Sequence, residues 1–309
     1  RIFSLSLQPL YISVKQKIAF IINPFSGSVK KRNIPEAIEK YLDLEKYDYE
    51  IIYTEYSGHA IEIAKSLSTN GTDIICAVGG DGSLHEIGNG LANDSITLAV
   101  LPVGSGNGIA THLGYKPRNL PYAFDIINTG FTTKIDVGNI NQKRFYSVFG
   151  VGIDGHIAYE YKHRTKRSFF AYASLVTKQL LTALKFHDLE FTLNGIERKE
   201  KVLTLCGFNS DQFGYSVGIV PWASAKDGLL EIAILKQFNP IKLPWITFCL
   251  LIKKPTWISE LELHSVTELS IKKNESMKFQ MDGDPFIFSE DLHISLTNAA
   301  VKFIVPKTL

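Results

Sequence analysis

From Lys17 onward the chain alternates between short β-branched, apolar runs and longer stretches whose apolar positions recur at helical spacing. The first unit is KIAFIIN, then the loop NPFSGS, then IPEAIEKYLDL, where Pro35 suits a first helical turn. YEIIYT, EYSGHA and AIEIAKSL repeat the pattern, as do DIICAV, GGDG and SLHEIGNGLA, and then TLAVL, PVGSGN and GIATHLG. Four such strand-loop-helix units predict a doubly wound α/β domain, because parallel strands need crossover connections that lay helices on both faces of the sheet. All four loops then emerge at the carboxyl edge of the strands, where open α/β sheets bind ligands.

The pattern changes in the second half. KIDVGNI and FYSVFGVGIDG alternate like half-buried strands, and Asn194-Gly195 inside DLEFTLNGIERKEKVLTLCGF is a strong hairpin signal. LLEIAIL, LHSVTELSIKK, MKFQM and LHISL add strands, with one helix expected near residues 169–186. A second, mostly antiparallel β domain is the expectation. With 309 residues, 45% of them hydrophobic, the chain can bury two cores of about 100–200 residues each. We expect the division at residues 16–134 and 135–298.

Charge narrows the range of partners. Thirty-three basic against 31 acidic residues leave a net charge of +2, which does not suit a dedicated nucleic-acid binder. Cys76, Cys206 and Cys249 lie far apart in apolar runs and suggest neither a disulfide framework nor a zinc site, so a reducing cytoplasm is expected. The longest apolar run, LPWITFCLLI at residues 243–252, is half of the roughly 20 residues that a spanning helix needs. Residues 1–15 receive no assignment.

The loops carry the candidate chemistry. Gly79, Gly80 and Gly82 allow positive φ and close approach to a ligand. Ser83 followed by Glu86 reads as a capping box opening a helix, whose free N–H groups form a ready anion site. Asp81 in such a phosphate site would serve a cation such as Mg²⁺, or accept a proton from an attacking hydroxyl. A tight turn whose aspartate satisfies backbone groups is the alternative. PVGSGN repeats the arrangement with Gly104, Ser105, Gly106 and a candidate cap at Asn107. GxxxxGK[ST], HRD and DFG are absent, and no glycine set is identified as GxGxxG after a strand, which weakens a dinucleotide oxidoreductase.

Together, Asn23-Pro24 with Ser26-Gly27, Thr54 with Gly58-His59-Ala60, GGDGSLHE and LPVGSGN resemble the diacylglycerol kinase catalytic family of lipid kinases. The likeness runs over almost the whole chain from Lys17. It implies an N-terminal nucleotide domain, a β-rich second domain, and Mg²⁺-dependent transfer of the ATP γ-phosphate to a lipid hydroxyl. By this resemblance the nucleotide site comprises Asn23, Pro24, Ser26, Gly27, Thr54, Gly79, Gly80, Asp81, Gly82, Ser83, His85, Gly104, Ser105 and Asn107. The segment AAVKFIVP resembles the family's last strand, which returns to the first domain near residues 299–306. Ser224, Asp227 and Leu229 match a structural Mg²⁺ site, although SAKDG also reads as an ordinary turn. MDGDPF, Asp282 to Phe286, likewise reads as a turn entering a strand; by the resemblance the family's bacterial proton acceptor, usually glutamate, corresponds there to Asp284, with Asp81 as the second catalytic candidate.

The acceptor is expected to be diacylglycerol or a related lipid alcohol. Basic and apolar residues between 161 and 186 suit either an anionic membrane surface or a solvated face. Peripheral membrane contact and a homodimer are both left open. Two rivals remain: a NAD-kinase-like enzyme, which shares only GGDG, and a non-catalytic lipid- or nucleotide-binding module, kept alive by aspartate at position 284.

Overall fold

The computed structural model describes residues 15–24, 33–93, 95–104, 106–164, 169–182, 184–212, 219–274, 277–287 and 289–307. The first half runs β1 (Gln16–Ile22), α1 (Ile34–Tyr41), β2 (Tyr47–Tyr53), α2 (His59–Leu67), β3 (Ile74–Gly79), α3 (Asp81–Gly90), β4 (Thr97–Pro102), α4 (Gly108–His112) and α5 (Leu120–Thr129). β1 pairs in parallel with β2 and β3, and β3 with β4. β3 is buried at every position, as expected for a parallel strand covered on both faces. The strand order is therefore 2-1-3-4, and the direction of winding reverses between β1 and β3. Ligands bind at such switch points, so the fold singles out the loops that open at Asn23 and Gly80.

The second half follows as β5 (Thr132–Ile140), β6 (Lys143–Phe145), β7 (Val148–Gly152), α6 (Ile153–Lys162), α7 (Phe169–Thr182), β8 (His187–Leu193), β9 (Ile196–Phe208), β10 (Leu230–Lys236), α8 (Leu243–Leu251), β11 (Leu261–Val266), β12 (Glu268–Ile271), β13 (Lys278–Met281), β14 (Asp284–Ile287) and β15 (Leu292–Ile304). Every strand pairing from β7 to β14 is antiparallel. β8 and β9 close on Asn194-Gly195, both at positive φ as a two-residue hairpin requires. Residues 292–304 form one long strand. β15 pairs antiparallel with β12 and β5, shifts register between Thr297 and Val301, and ends parallel to β4 at Lys302 and Phe303. One chain segment thus joins the two halves of the sheet.

Two expectations need correction. FGVGIDG does not continue as a strand: β7 stops at Gly152 and α6 starts at Ile153. Gly150, Gly152 and Gly155 do have GxGxxG spacing at the end of a strand, against the sequence reading, yet a methyl group on Gly155 would lie only 2.1 Å from the Lys278 carbonyl oxygen. That glycine serves the packing of α6 on β13. The helix near residues 169–186 is accompanied by α6 and α8, because those segments bury one face on the sheet and lack a clean amphipathic period.

Candidate active site

The site begins with two glycine loops that pack against each other. Val103 and Gly104 donate their backbone N–H groups to the Gly79 carbonyl at 3.1 and 3.0 Å. A methyl group on Gly80 would lie 2.4 Å from the Gly106 carbonyl oxygen, and one on Gly104 would lie 2.4 Å from Gly80 Cα. Gly80 has φ −114°, and Gly79, Gly82, Gly104 and Gly106 are likewise absent from the positive-φ residues. The positive-φ expectation therefore fails at this loop, and close approach of backbone to backbone takes its place. Gly80→Val should break the loop pair and weaken ATP binding about tenfold or more, since even one methyl group meets a carbonyl oxygen. Unchanged affinity by calorimetry would contradict this.

The expected caps are also rearranged. α3 starts at Asp81 with Gly80 as its N-cap and no side-chain cap, so Ser83 lies buried within the first turn. Asn107 closes the loop instead of capping α4. Its Oδ1 accepts from Gly104 N–H at 3.1 Å, and its Nδ2 donates to the Gly104 carbonyl at 3.0 Å.

Asp81 projects from the start of α3 toward the start of α4, where its Oδ1 accepts from Ile109 N–H at 3.3 Å. Burial pushes its carboxyl up to about 6, against opposing hydrogen bonds from the backbone of Gly108 and Ile109 and with the Asp282 charge adding to the rise. Asp284 arrives from the other half of the molecule. A methyl group on Gly82 would lie 3.6 Å from Asp284 Oδ2, and Lys162 Nζ donates to Asp284 Oδ1 at 3.1 Å. Two carboxylates, one from each half, thus flank the first turn of α3, with a cation from α6 behind one of them.

The hairpin between β13 and β14 explains how Asp284 gets there. Asp282 and Gly283 have φ +49° and +88°, the pair of left-handed residues that a tight Asp-Gly turn uses. Asp282 Oδ1 accepts from Ser147 and Val148 N–H at 2.8 and 3.2 Å, and its Oδ2 from Tyr146 N–H and His85 Nδ1, both at 2.9 Å. His85 lies on α3, so this buried carboxylate pins the hairpin to α3 and to the link between β6 and β7. Burial opposes charge on the His85 ring, but the Asp282 hydrogen bond and charge, with the Asp284 charge behind them, raise its pKa overall. The resemblance assigns His85 to nucleotide binding, and in the structure its Nδ1 meets Asp282. Asp282 and Lys162 were missed, and only the Asp-Gly pair signalled the turn.

Asp282→Ala should cost about 3–5 kcal/mol, because it strips the acceptor from three backbone N–H groups and an imidazole. Since the folded pKa of His85 is raised, its share is complete below the unfolded value of 6.5 and fades as pH rises through the folded value. Urea titrations should therefore show a smaller deficit at pH 9 than at pH 6. A deficit below about 1 kcal/mol would contradict the staple.

The remaining candidates scatter. Asn23 and Pro24 follow β1, and Thr54 is buried after β2, its N–H donating to the Ile22 carbonyl at 2.9 Å. Ser26, Gly27 and Ser105 lie outside the described residues. Ser224 Oγ accepts from Lys226 N–H at 3.3 Å and Asp227 Oδ1 from Leu229 N–H at 3.0 Å. Gly228 N–H donates to buried Asp136 at 2.8 Å, which ties that turn to β5. Among the described residues no three His, Cys, Asp or Glu side chains cluster as a metal site would.

Residues 17–140 match the family described as the diacylglycerol kinase catalytic domain. A diacylglycerol kinase of Staphylococcus aureus is 30% identical over 235 residues, covering 73% of this chain and 72% of its own. That of Bacillus subtilis is 26% identical over 274 residues, covering 87% and 89%. The crystal structure of a diacylglycerol kinase from Bacillus anthracis superposes with a TM-score of 0.75 at 20% identity, covering 95% of this chain and 98% of its own. That likeness carries the two-part fold, and the NAD-kinase alternative is not favoured. The chain belongs to the diacylglycerol kinase catalytic-domain family and is an ATP-dependent lipid kinase.

Proposed function

We propose that the protein transfers the γ-phosphate of ATP, with Mg²⁺, to the free hydroxyl of diacylglycerol at a membrane surface on the cytoplasmic side. The observation that carries this reading is the approach of Asp284 to Gly82, which sets a carboxylate of the antiparallel half against the glycine loop of the parallel half. Residues 16–134, completed by 299–306, form the nucleotide domain in this reading, and residues 135–298 the lipid domain. Asn23, Pro24, Thr54, Gly79, Gly80, Gly82, Ser83, Gly104 and Asn107 shape the nucleotide cleft around the switch point, and Ser26, Gly27, His85 and Ser105 are assigned to nucleotide binding on the family resemblance alone.

Asp284 acts as general base. It is half-buried, it belongs to the domain that would hold the acceptor, and Lys162 keeps one of its oxygens oriented. A base must come within about 2.6–3.2 Å of its proton, directly or through one water, and the second oxygen faces the α3 turn to do so. Asp81 holds Mg²⁺. Its carboxylate is offset against burial only by backbone N–H groups and by no cationic side chain, and hard oxygen donors suit that ion. Bound there, Mg²⁺ would neutralise charge on the phosphates during transfer. Ser224, Asp227 and Leu229 offer a hydroxyl, a carboxylate and a carbonyl to a second, structural Mg²⁺.

Offering diacylglycerol, ceramide and sphingosine separately in mixed micelles tests the acceptor. Diacylglycerol should give the highest kcat/KM with phosphatidic acid as product. Preferential phosphorylation of a sphingoid lipid would reassign the substrate while leaving the chemistry in place.

A further inference from the structure

α8 is apolar on its solvent side as well as on its core side. Its sequence LPWITFCLL has no charged residue. Ile246 and Cys249 are buried with Leu203, Leu235, Phe238 and Ile258. On the opposite side Trp245 is 47% exposed, Phe248 50% and Leu251 70%, flanked by Ile241 at 83% and Trp257 at 54%. A surface helix ordinarily turns a polar face outward; here only Thr247 does. Trp245 stacks on Trp257 with centroids 6.4 Å apart and planes 9° apart, and Phe248 lies 5.9 Å from Trp245. Trp245, Phe248 and Trp257 thus form one exposed aromatic platform.

Its rim is basic. Lys242 is paired with Glu260, but no salt bridge to Lys253 or Lys254 occurs among the described residues, and both are exposed. Lys253 N–H donates to the Leu250 carbonyl at 3.1 Å and Lys254 N–H to the Cys249 carbonyl at 2.8 Å, closing the end of α8. In that closure Lys253 has φ +56°, a position that favours glycine. The helix dipole explains a cation near the C-terminus, yet a glycine followed by a lysine would satisfy it without the left-handed side chain. Strain kept at an exposed position points to a use for that side chain.

The patch is connected to the active site. Ile153, the first residue of α6, packs on the same cluster beneath α8, and Lys162, the last residue of α6, pairs with Asp284. One helix about 15 Å long therefore links the support of the patch to the proposed base.

We propose that α8 is a membrane-docking surface, with Trp245, Phe248, Leu251 and Trp257 entering the interface of an anionic lipid leaflet and Lys253 and Lys254 meeting its headgroups. Tryptophan favours that interface, and apolar side chains combined with lysines at the rim are what anionic leaflets attract. The biological sense of this surface rests on the lipid-kinase reading, whereas its physical test does not. The full chain is floated with vesicles of phosphatidylcholine alone or equimolar with phosphatidylglycerol. The parent should bind the anionic vesicles about tenfold more tightly than the neutral ones.

Trp245→Ser/Phe248→Ser/Leu251→Ser should lose about tenfold or more on both, with an unchanged circular dichroism spectrum. Lys253→Gly/Lys254→Gln should lose only the anionic preference, and its Tm should not fall because the left-handed position is relieved. The apolar triple variant should keep its turnover on water-dispersed short-chain diacylglycerol and lose it on vesicles. If vesicle binding follows this order while no variant phosphorylates diacylglycerol, docking stands and the acceptor reading fails. Undiminished flotation of the triple variant overturns the proposal. So does a dimer that this variant converts to monomer without any change in flotation, because a second copy would then be the occupant.

Discussion

Asp284→Asn will lower kcat by about 10²–10⁴ while leaving ATP affinity within about twofold of wild type, the signature of losing a proton acceptor that does not hold nucleotide. The amide keeps an oxygen near Gly82 and has nearly the size of the carboxylate, so the fold is retained. It cannot take a proton, and it weakens the contact with Lys162. Asp284→Glu separates reach from chemistry, since it restores a carboxylate one methylene longer and should keep or raise turnover. Steady-state kinetics with saturating lipid decide the matter. Full kcat in the asparagine variant would transfer the base role to Asp81.

Asp81→Asn should abolish transfer to a similar extent, about 10²–10⁴, and should also stabilise the protein. The sign follows from the raised pKa. A carboxyl at 3.8 in the unfolded chain and about 6 when folded binds more protons in the native state between those values. Its contribution is favourable below pH 3.8 and is lost as pH rises through 6. Above pH 7 the ionised group therefore costs stability, about 2 kcal/mol once its partial exposure to the cleft is allowed for. Asparagine removes that charge while keeping an oxygen for the Ile109 N–H. Tm should accordingly rise at pH 8 and change little at pH 4. A fall in Tm at pH 8 would mean that the carboxylate contributes to folding rather than to function.

Much of the parallel half could be read from the sequence because its signals are local. β1 carries the apolar run Ile18–Ile22 and β3 the run Ile74–Val78, and each is followed within a few residues by glycine or proline. The reason for the glycines could not be read, because it lies in a contact between two loops: Gly80 and Gly104 are 24 positions apart in sequence and touch in space. Distance in sequence also hid the most connected acid. Asp282 meets His85 across 197 positions and the 146–148 backbone across 134 to 136, so no spacing rule reaches it. What could be read was the Asp-Gly turn that aims it. α8 was visible only as a run too short to span a membrane, and its outward apolar face emerged once the burial of Ile246 and Cys249 fixed its orientation.

The central claim is that ATP and a lipid hydroxyl react in the cleft between the two halves. Incubating the wild-type protein with γ-labelled ATP, Mg²⁺ and a total lipid extract, then tracing the label, tests it most directly. The account predicts label in the lipid fraction as a phosphomonoester. Label found only in free phosphate, or carried by a soluble nucleotide, would contradict it.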